Sequence, residues 1–216
     1  MSDWAKQLSG RFIVFDGPDG SGKTTQFHRF TKWCEEAGVV VETVREPGGT
    51  PIGEQIRAIL LDSANHEMTI PCELLLYMAS RSQLVQERIE PALAAGSLVL
   101  ADRFISSTLA YQGTAGGLPE SDIRAVGEFA LAGRWPDCTV IFDVDESVAA
   151  SRRDAAPDRM ESKGVSFHER VRRGYLQQAE SDPDHVLLVD ESKDADTVFA
   201  TLLSSLESWL QSTPVG

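Results

Sequence analysis

Short apolar runs recur along the chain and alternate with longer stretches of helical periodicity. Runs that are apolar on both faces are typical of buried strands in a parallel sheet, which the intervening helices cover. The pattern therefore predicts an α/β fold with a five-stranded parallel sheet and helices on both faces. The runs are Phe12-Ile13-Val14-Phe15, Val39-Val40-Val41 with Val44, Leu98-Val99-Leu100, Thr139-Val140-Ile141-Phe142 and Val186-Leu187-Leu188-Val189.

Three helical stretches have clear limits. The first is predicted from about Lys23 to Glu36 and stops at Gly38, because glycine readily adopts the left-handed conformation that ends a helix. Periodicity predicts a long helical stretch from Pro71 to Ala95 and an amphipathic closing helix from about Ala195 to Gln211. With no internal repeat or linker, the sequence predicts one domain over residues 1–216.

A glycine-rich segment follows the first predicted strand and opens the first helix. It fits the pattern G-x-x-x-x-G-K-[ST], in which backbone N–H groups and the helix N-terminus surround a phosphate. Lys23 is expected to reach the β- and γ-phosphates, and the Thr24 hydroxyl to help hold Mg²⁺. A chance glycine-containing loop is the alternative, which the order of strand, loop and helix disfavours. The predicted triphosphate contacts are Gly17, Pro18, Asp19, Gly20, Ser21, Gly22, Lys23, Thr24 and Thr25.

Charged residues follow two further predicted strands, at the sheet edge where ligands of parallel sheets bind. Arg45 precedes a Pro-Gly-Gly bend, where its guanidinium would suit a phosphate, although an ordinary surface arginine explains it equally well. Asp102 suits a water-mediated Mg²⁺ contact and Arg103 a phosphate bridge, with a structural Asp–Arg pair as the alternative. Phosphate-binding groups on separate strands predict two phosphorylated ligands and phosphoryl transfer between nucleotides.

The composition excludes some classes of binding partner. A formal net charge of −13 argues against broad binding to nucleic acid or an anionic membrane, so an anionic substrate must meet a local basic pocket. No apolar run approaches signal-like or membrane-spanning character, which favours a cytoplasmic enzyme. Cys34, Cys72 and Cys138 are interpreted as buried reduced thiols, and the histidines show no zinc-ligand spacing with them.

These segments resemble the nucleoside monophosphate kinases and, among them, the thymidylate kinase family. The resemblance implies a P-loop NTPase fold with a small arginine-containing lid. It further implies transfer of the γ-phosphoryl group of ATP to dTMP, giving dTDP and ADP for dTTP biosynthesis, with Mg²⁺ and a homodimer. The matching blocks, which run through nearly the whole chain, are FDGPDGSGKTTQ, REPGGTPIGEQIR, ELLLYMASRSQL, DRFISSTLAYQG, WPD and DRME.

The resemblance also implies roles at the acceptor nucleoside. Tyr77 and Arg81 lie four apart and share a helix face, so that Tyr77 would stack on thymine and Arg81 would donate to its O4. Core packing is the alternative for Tyr77. Ser107 and Thr108 would approach the base edge, and Tyr111 would crowd the 2′ carbon and exclude ribonucleotides.

Three more acceptor-side roles follow from the same resemblance. Asp19 would accept a hydrogen bond from the 3′-hydroxyl and hold Arg45 or Arg103 in line, whereas a solvated loop acid is the alternative. Arg45 and Arg103 would hold the acceptor phosphate. Gln112 is a substrate-binding candidate, with a local cap as its alternative. The peptide bond between Glu46 and Pro47 is expected to be cis, which would turn Arg45 into the cleft.

Members of this family draw a catalytic arginine from one of two places. One group of the family carries it in the phosphate loop, where Gly20 stands here, and the other carries it in the lid, here about 152–164. The resemblance to the second group leaves Arg152, Arg153 and Arg159 as sources of an arginine finger. The predicted catalytic residues are Lys23, Arg103, Arg153 and Arg159, and the predicted metal-binding residues are Thr24 and Asp102.

Two other functions compete with this one. A kinase for another nucleoside monophosphate, or for a deoxynucleoside, would use the same loop with a different acceptor pocket. A nucleotide-binding switch that hydrolyses slowly would also use the loop, but the sequence has no Asn-Lys-x-Asp element for guanine, and a switch has little use for a lid with several arginines.

Overall fold

The computed structural model describes residues 3–152 and 158–213. In this part of the chain all strand pairs are parallel and form one five-stranded sheet in the order β2-β3-β1-β4-β5. The predicted strand number and direction are confirmed. The strands are β1 Phe12–Asp16, β2 Val41–Arg45, β3 Leu98–Asp102, β4 Cys138–Asp143 and β5 Val186–Asp190.

Helices connect these strands and cover the sheet. A 3₁₀ turn spans Asp3–Leu8 and another spans Ser63–Asn65, and π-helical segments span Val85–Ile89 and Leu109–Ala115. The α-helices are α1 Lys23–Glu36, α2 Pro51–Leu61, α3 Ile70–Leu84, α4 Glu90–Ala94, α5 Ile105–Thr108, α6 Glu120–Leu131, α7 Glu146–Arg152, α8 Val165–Ser181 and α9 Ala195–Ser212.

Most predicted helix limits agree with the structure. Helix α1 has the predicted bounds, and Gly38 follows it with a left-handed φ of 82°. The stretch from Pro71 to Ala95 is helical, but the π-helical segment interrupts it just before Pro91. Proline lacks an amide donor and its ring clashes with the preceding turn, which accounts for a widened turn at this point.

The second strand begins later than its apolar run suggests. Val39 belongs to the turn that ends α1, because its N–H donates to the carbonyl of Cys34. Val40 is an exposed connector, and the strand starts at Val41. The valine run therefore spans a helix end, a connector and a strand start.

Strand β1 is central to the sheet and buried along its whole length. Its side chains alternate between two apolar layers. Ile13 and Phe15 pack in a cluster with residues of α1 and α9, whereas Phe12 and Val14 pack with residues of α3 and α6. This two-sided burial explains why the strand is apolar at successive positions. It also places Asp16 and the following loop at the carboxyl edge of the sheet.

One cysteine differs from its prediction. Cys34 and Cys138 are buried free thiols, but Cys72 is exposed. The first turn of α3 buries Glu73 and Leu74 on its inner face, and Cys72 occupies the solvent side. Among the described residues no group of three His, Cys, Asp or Glu side chains could hold a metal ion. None of the helices described is long and apolar enough to cross a membrane.

Thiol titration tests this arrangement. We expect one rapid reaction per native chain with an aromatic disulfide reagent at pH 8, and three after unfolding in guanidinium chloride. Burial protects the other two thiols and raises the pKa of Cys34 to about 12. The Cys72→Ser variant should show no rapid reaction. Two or more rapid native thiols in the unsubstituted protein would contradict the burial of Cys34 and Cys138.

Candidate active site

A cavity lies at the carboxyl ends of β1, β2 and β3. It brings together most of the residues predicted for a nucleotide site, but Gly17, Thr25 and Arg159 are not part of its wall. Arg153 lies outside the described residues. The wall consists of residues 18–24, Arg45, Glu46, Pro47, Arg57, Leu61, Tyr77, Arg81, Asp102, Arg103, Phe104, Ser107, Thr108, Tyr111, Gln112, Arg152, Asp158, Met160 and Glu161.

The glycine-rich loop connects β1 directly to α1. Gly17, Gly20 and Gly22 all have positive φ, and α1 begins at Lys23. A Cβ atom at Gly20 would lie 2.4 Å from the carbonyl oxygen of Ala149, so this position has no room for a side chain. An arginine could not stand here without displacing the backbone of α7.

Lys23 is buried at the loop end of the cavity. Its Nζ donates to the Oδ1 atom of Asp102 at the tip of β3. Burial, together with the charge of Arg103, lowers the pKa of Lys23 even though Asp102 acts in the opposite direction. Thr24, the next residue of α1, is exposed and also lines the cavity. The loop lysine and the predicted metal-binding carboxylate therefore face the same space.

A buried carboxylate that sequence reasoning missed lies under the loop. Asp16 is fully buried, and its Oδ1 accepts hydrogen bonds from Gly17 N at 2.9 Å, Ser107 Oγ at 2.7 Å and Tyr175 Oη at 2.7 Å. Its Oδ2 accepts from Ser107 N at 2.9 Å. An aspartate at the end of an apolar strand was a usable signal for this group. Tyr175 carried no such signal, because it arrives from α8.

Arg103 joins the loop to the opposite wall. Its Nη2 donates to Asp19 Oδ1 at 2.5 Å, while its Nη1 donates to Ser107 Oγ at 3.1 Å and Tyr175 Oη at 3.2 Å. The Tyr111 hydroxyl donates to the second oxygen of Asp19 at 2.7 Å. Burial by itself would raise the pKa of Asp19, but Arg103 and Tyr111 hold it below its ordinary value. Asp19 is therefore an ionised, paired loop residue rather than a solvated one.

Arg81 lies almost fully buried at the other end of the cavity. Its Nε donates to Glu46 Oε2 at 2.5 Å and its Nη2 donates to Thr108 Oγ1 at 3.2 Å. Tyr77 is half-buried one turn earlier on α3 and also lines the cavity. The Glu46–Pro47 peptide bond is cis, as expected. Sequence reasoning did not identify Glu46 as the partner of Arg81.

Gln112 does not cap its own helix. Its side chain is buried, and its Nε2 donates at 2.9 Å to Oε2 of Glu73 on α3. The local-cap interpretation is therefore wrong, because the partner comes from another element. Glu73 had no sequence signal beyond its position in the first turn of a predicted helix.

Two arginines at the β2 end extend the basic wall. Arg45 is half-exposed and donates through Nη2 to Glu54 Oε1 at 2.9 Å. Arg57 of α2, which was not predicted, donates through Nη1 to the Pro47 carbonyl at 2.9 Å. With Lys23, Arg81 and Arg103 they form the local basic pocket that the acidic chain requires for an anionic substrate.

The lid arginines separate into different environments. Arg152 lines the cavity, and its Nη1 donates to the Gly20 carbonyl at 3.4 Å. Arg159 is buried outside the wall, where its Nε donates to the Leu60 carbonyl at 2.7 Å and its Nη1 to Glu73 Oε1 at 2.5 Å. This placement does not support a direct role for Arg159 at a transferring phosphoryl group.

The fold and the cavity define a class. A phosphate loop between the first strand and first helix faces arginines from β2, β3 and α3 across one cavity. The loop suits a triphosphate, and the facing arginines suit a second phosphorylated ligand. This arrangement is that of a P-loop nucleotide kinase.

Comparisons identify the family within that class. A family model described as thymidylate kinase matches residues 15–201. The thymidylate kinases of Desulforudis audaxviator (strain MP104C) and Geobacillus sp. (strain WCH70) are 46% and 41% identical, over 96% and 92% of this chain and 95% and 97% of theirs. The crystal structure of thymidylate kinase from Ehrlichia chaffeensis is 33% identical with a TM-score of 0.73, covering 92% of this chain and 99% of that one. The chain belongs to the thymidylate kinase family.

Glu46 makes the stability of this site depend on pH. Burial raises its pKa from 4.5 to about 7 despite Arg81, and its Oε1 has no hydrogen-bond partner among the described residues. The folded state then binds the Glu46 proton more tightly than the unfolded state does. The stabilisation is fully present below pH 4.5 and is lost as the pH rises through about 7.

The Glu46→Gln variant tests this pH dependence of the stability. As the pH falls from 8 to 5.5, the free energy of unfolding of the unsubstituted protein should rise relative to that of the variant, which has no proton to bind here. Urea unfolding at several pH values measures this difference. A difference that stays constant, or that falls toward low pH, would show that the folded-state pKa of Glu46 is not raised.

Proposed function

We propose that this chain catalyses transfer of the γ-phosphoryl group of ATP to dTMP, giving ADP and dTDP. Family membership supports the reaction, and one geometric observation supports the site. The Arg103–Asp19 ion pair, at 2.5 Å, connects the triphosphate loop to the opposite wall of the same cavity. The donor and acceptor phosphates would therefore lie on either side of the Arg103–Asp19 pair, close to one another. That arrangement suits direct transfer between two bound nucleotides.

The donor half consists of the loop, the first residues of α1 and the end of β3. The loop N–H groups and Lys23 would bind the triphosphate of ATP. Thr24 and Asp102 place a hydroxyl and a carboxylate at the same wall, and Mg²⁺ prefers such oxygen ligands, so these residues fit the ion. When bound, Mg²⁺ would neutralise phosphate charge. Asp102, which accepts from Lys23, would help hold the ion through water.

The acceptor half divides into a phosphate end and a base end. Arg45, Arg57 and Arg103 would hold the dTMP phosphate, since guanidinium groups match its geometry. At the base end Arg81 would donate to thymine O4 and Tyr77 would stack on the ring. Their shared helix face supports this assignment.

Thr108, Ser107 and Gln112 line the cavity wall and would contact the nucleoside directly or through their partners. The Tyr111 ring would lie against the 2′ carbon, and Asp19 would accept from the 3′-hydroxyl while it holds Arg103. A ribonucleotide would then meet the Tyr111 ring with its 2′-hydroxyl.

The reaction needs little covalent chemistry from the protein. A phosphate monoester is largely ionised near pH 7, so an acceptor oxygen can attack without a general base. Lys23 would neutralise charge on the donor phosphates. Arg152, which belongs to the lid and lines the cavity, would stabilise the negative charge on the transferring phosphoryl group. Arg153 shares that candidacy as its neighbour in the sequence. A single domain with a lid at 152–164 would enclose the reactants and exclude water.

We also propose a cytoplasmic homodimer. Ile52 and Ile59 on α2 and Leu75 on α3 are exposed apolar side chains on adjacent helices, a composition that favours a partner subunit there. Size-exclusion chromatography with light scattering measures the subunit number directly.

The acceptor preference tests the proposed function. ADP formation, followed with a coupled assay, should depend on dTMP and be much slower with the monophosphates of cytidine, adenosine and guanosine. Activity with thymidine in place of dTMP would indicate a deoxynucleoside kinase instead. ADP formation that no acceptor stimulates would favour a nucleotide-binding switch.

Substitution of the loop lysine separates catalysis from acceptor binding. Lys23→Met should lower kcat by at least about 100-fold, because a buried charge that acts on the transferring phosphates is lost. The affinity for dTMP, measured by calorimetry, should change less than about threefold, because the predicted acceptor contacts remain. Lys32→Met, which removes an exposed lysine of the same helix, is the matched control. Near-normal turnover in Lys23→Met would refute the assignment of Lys23.

A further inference from the structure

Glu73, in the first turn of α3, is a fully buried carboxylate outside the cavity wall. Its Oε1 accepts from Arg159 Nη1 at 2.5 Å and Lys163 Nζ at 3.0 Å, and its Oε2 accepts from Gln112 Nε2 at 2.9 Å. Burial would raise the pKa of Glu73, but these partners keep it below its ordinary value. One ionised group therefore joins residues from two separate segments.

The first segment is the end of the lid. Asp158 and Glu161 line the cavity, whereas Arg159 between them turns away and is buried against Glu73 and the Leu60 carbonyl. A charged side chain is stable in such a buried position only when it is paired and hydrogen-bonded. The Glu73 carboxylate therefore determines which side of segment 158–163 faces the reactants.

The second segment carries Gln112 at the base end of the cavity. A carboxylate only accepts hydrogen bonds, so Glu73 requires Gln112 to turn its NH₂ group inward. The Gln112 carbonyl oxygen is then left as an acceptor in the cavity wall that the donor Arg81 also lines. This pair of groups complements the N3–H donor and O4 acceptor of thymine, whereas cytosine presents the reverse pattern.

We propose that Glu73 is a positioning residue that sets both the amide orientation of Gln112 and the seating of segment 158–163. This inference rests on the proposed dTMP kinase activity. It assigns Arg159 to anchoring the segment rather than to contact with phosphate. Recognition of the base and placement of the phosphoryl end of the lid then depend on the same carboxylate.

The Glu73→Gln variant tests both halves of the proposal, because its amide no longer requires a donor from Gln112 and no longer offers Arg159 a negative charge. The KM for dTMP should rise about tenfold and kcat should fall about tenfold, as expected when buried charge-assisted hydrogen bonds are lost. The KM for ATP should stay within about twofold. The inhibition constant of dCMP, divided by the KM for dTMP, should fall about fivefold, because Gln112 can now present a donor.

Glu120→Gln is the matched control, since it removes an exposed carboxylate that pairs with Arg124 within α6. All its parameters should equal those of the unsubstituted protein. A Glu73→Gln variant that melts cooperatively but keeps its kcat, its KM for dTMP and its selectivity would overturn the proposal. Absence of dTMP-dependent turnover in the unsubstituted protein would instead refute the proposed function.

Arg159→Met separates anchoring from direct catalysis. It should lower kcat about as much as Glu73→Gln does while changing the KM for dTMP less than about twofold, because Glu73 still holds Gln112. The double variant should have the kcat of Glu73→Gln alone. Multiplied losses would mean that Arg159 acts independently of Glu73 and would overturn the assignment.

If Glu73→Gln does not fold, Lys163→Met replaces it in the test, because Lys163 is partly exposed and contributes one of the hydrogen bonds to Glu73. The kcat should then fall about threefold with an unchanged KM for ATP. An unchanged kcat in Lys163→Met would overturn the proposal.

Discussion

The buried carboxylate of Asp16 is the interaction on which the rest of the site depends. Placed at the end of the central strand without contact with water, it must receive its hydrogen bonds from protein groups. Those donors are the first amide of the phosphate loop, both donors of Ser107 and the Tyr175 hydroxyl. The requirement brings the loop, the short helix α5 and the middle of α8 to one point. Each lost bond would cost about 1–3 kcal/mol, so the three elements are held together firmly.

Arg103 extends this network into the cavity. Its backbone has a left-handed φ of 68°, a strained conformation for a residue with a side chain, and its guanidinium contacts Ser107, Tyr175 and Asp19. The loop and the acceptor wall therefore share a single set of charges. The base end repeats the principle with buried carboxylates, since Glu46 holds Arg81 and Glu73 holds Gln112.

Local patterns in the sequence predicted those features of the structure that depend only on residues close together in the chain. The five strands, the limits of α1 and the loop follow from short-range rules of burial, glycine conformation and motif spacing, whereas the cis bond at Pro47 was expected from the family resemblance. Burial at single positions was less predictable, as the exposed Val40 and Cys72 show, because an apolar side chain next to a helix end can face either way. Tyr175 at Asp16, Glu46 at Arg81 and Glu73 at Gln112 were not predictable as partners, since each comes from a distant segment.

Simultaneous occupancy of one continuous site by both nucleotides is the central claim. Calorimetry with a bisubstrate compound, in which adenosine and thymidine are joined through their 5′-oxygens by a polyphosphate chain, tests it most directly. We predict one molecule bound per chain, with tighter affinity than ATP or dTMP, and displacement by either nucleotide. Displacement by only one nucleotide, or affinity no better than that of ATP alone, would contradict a shared site.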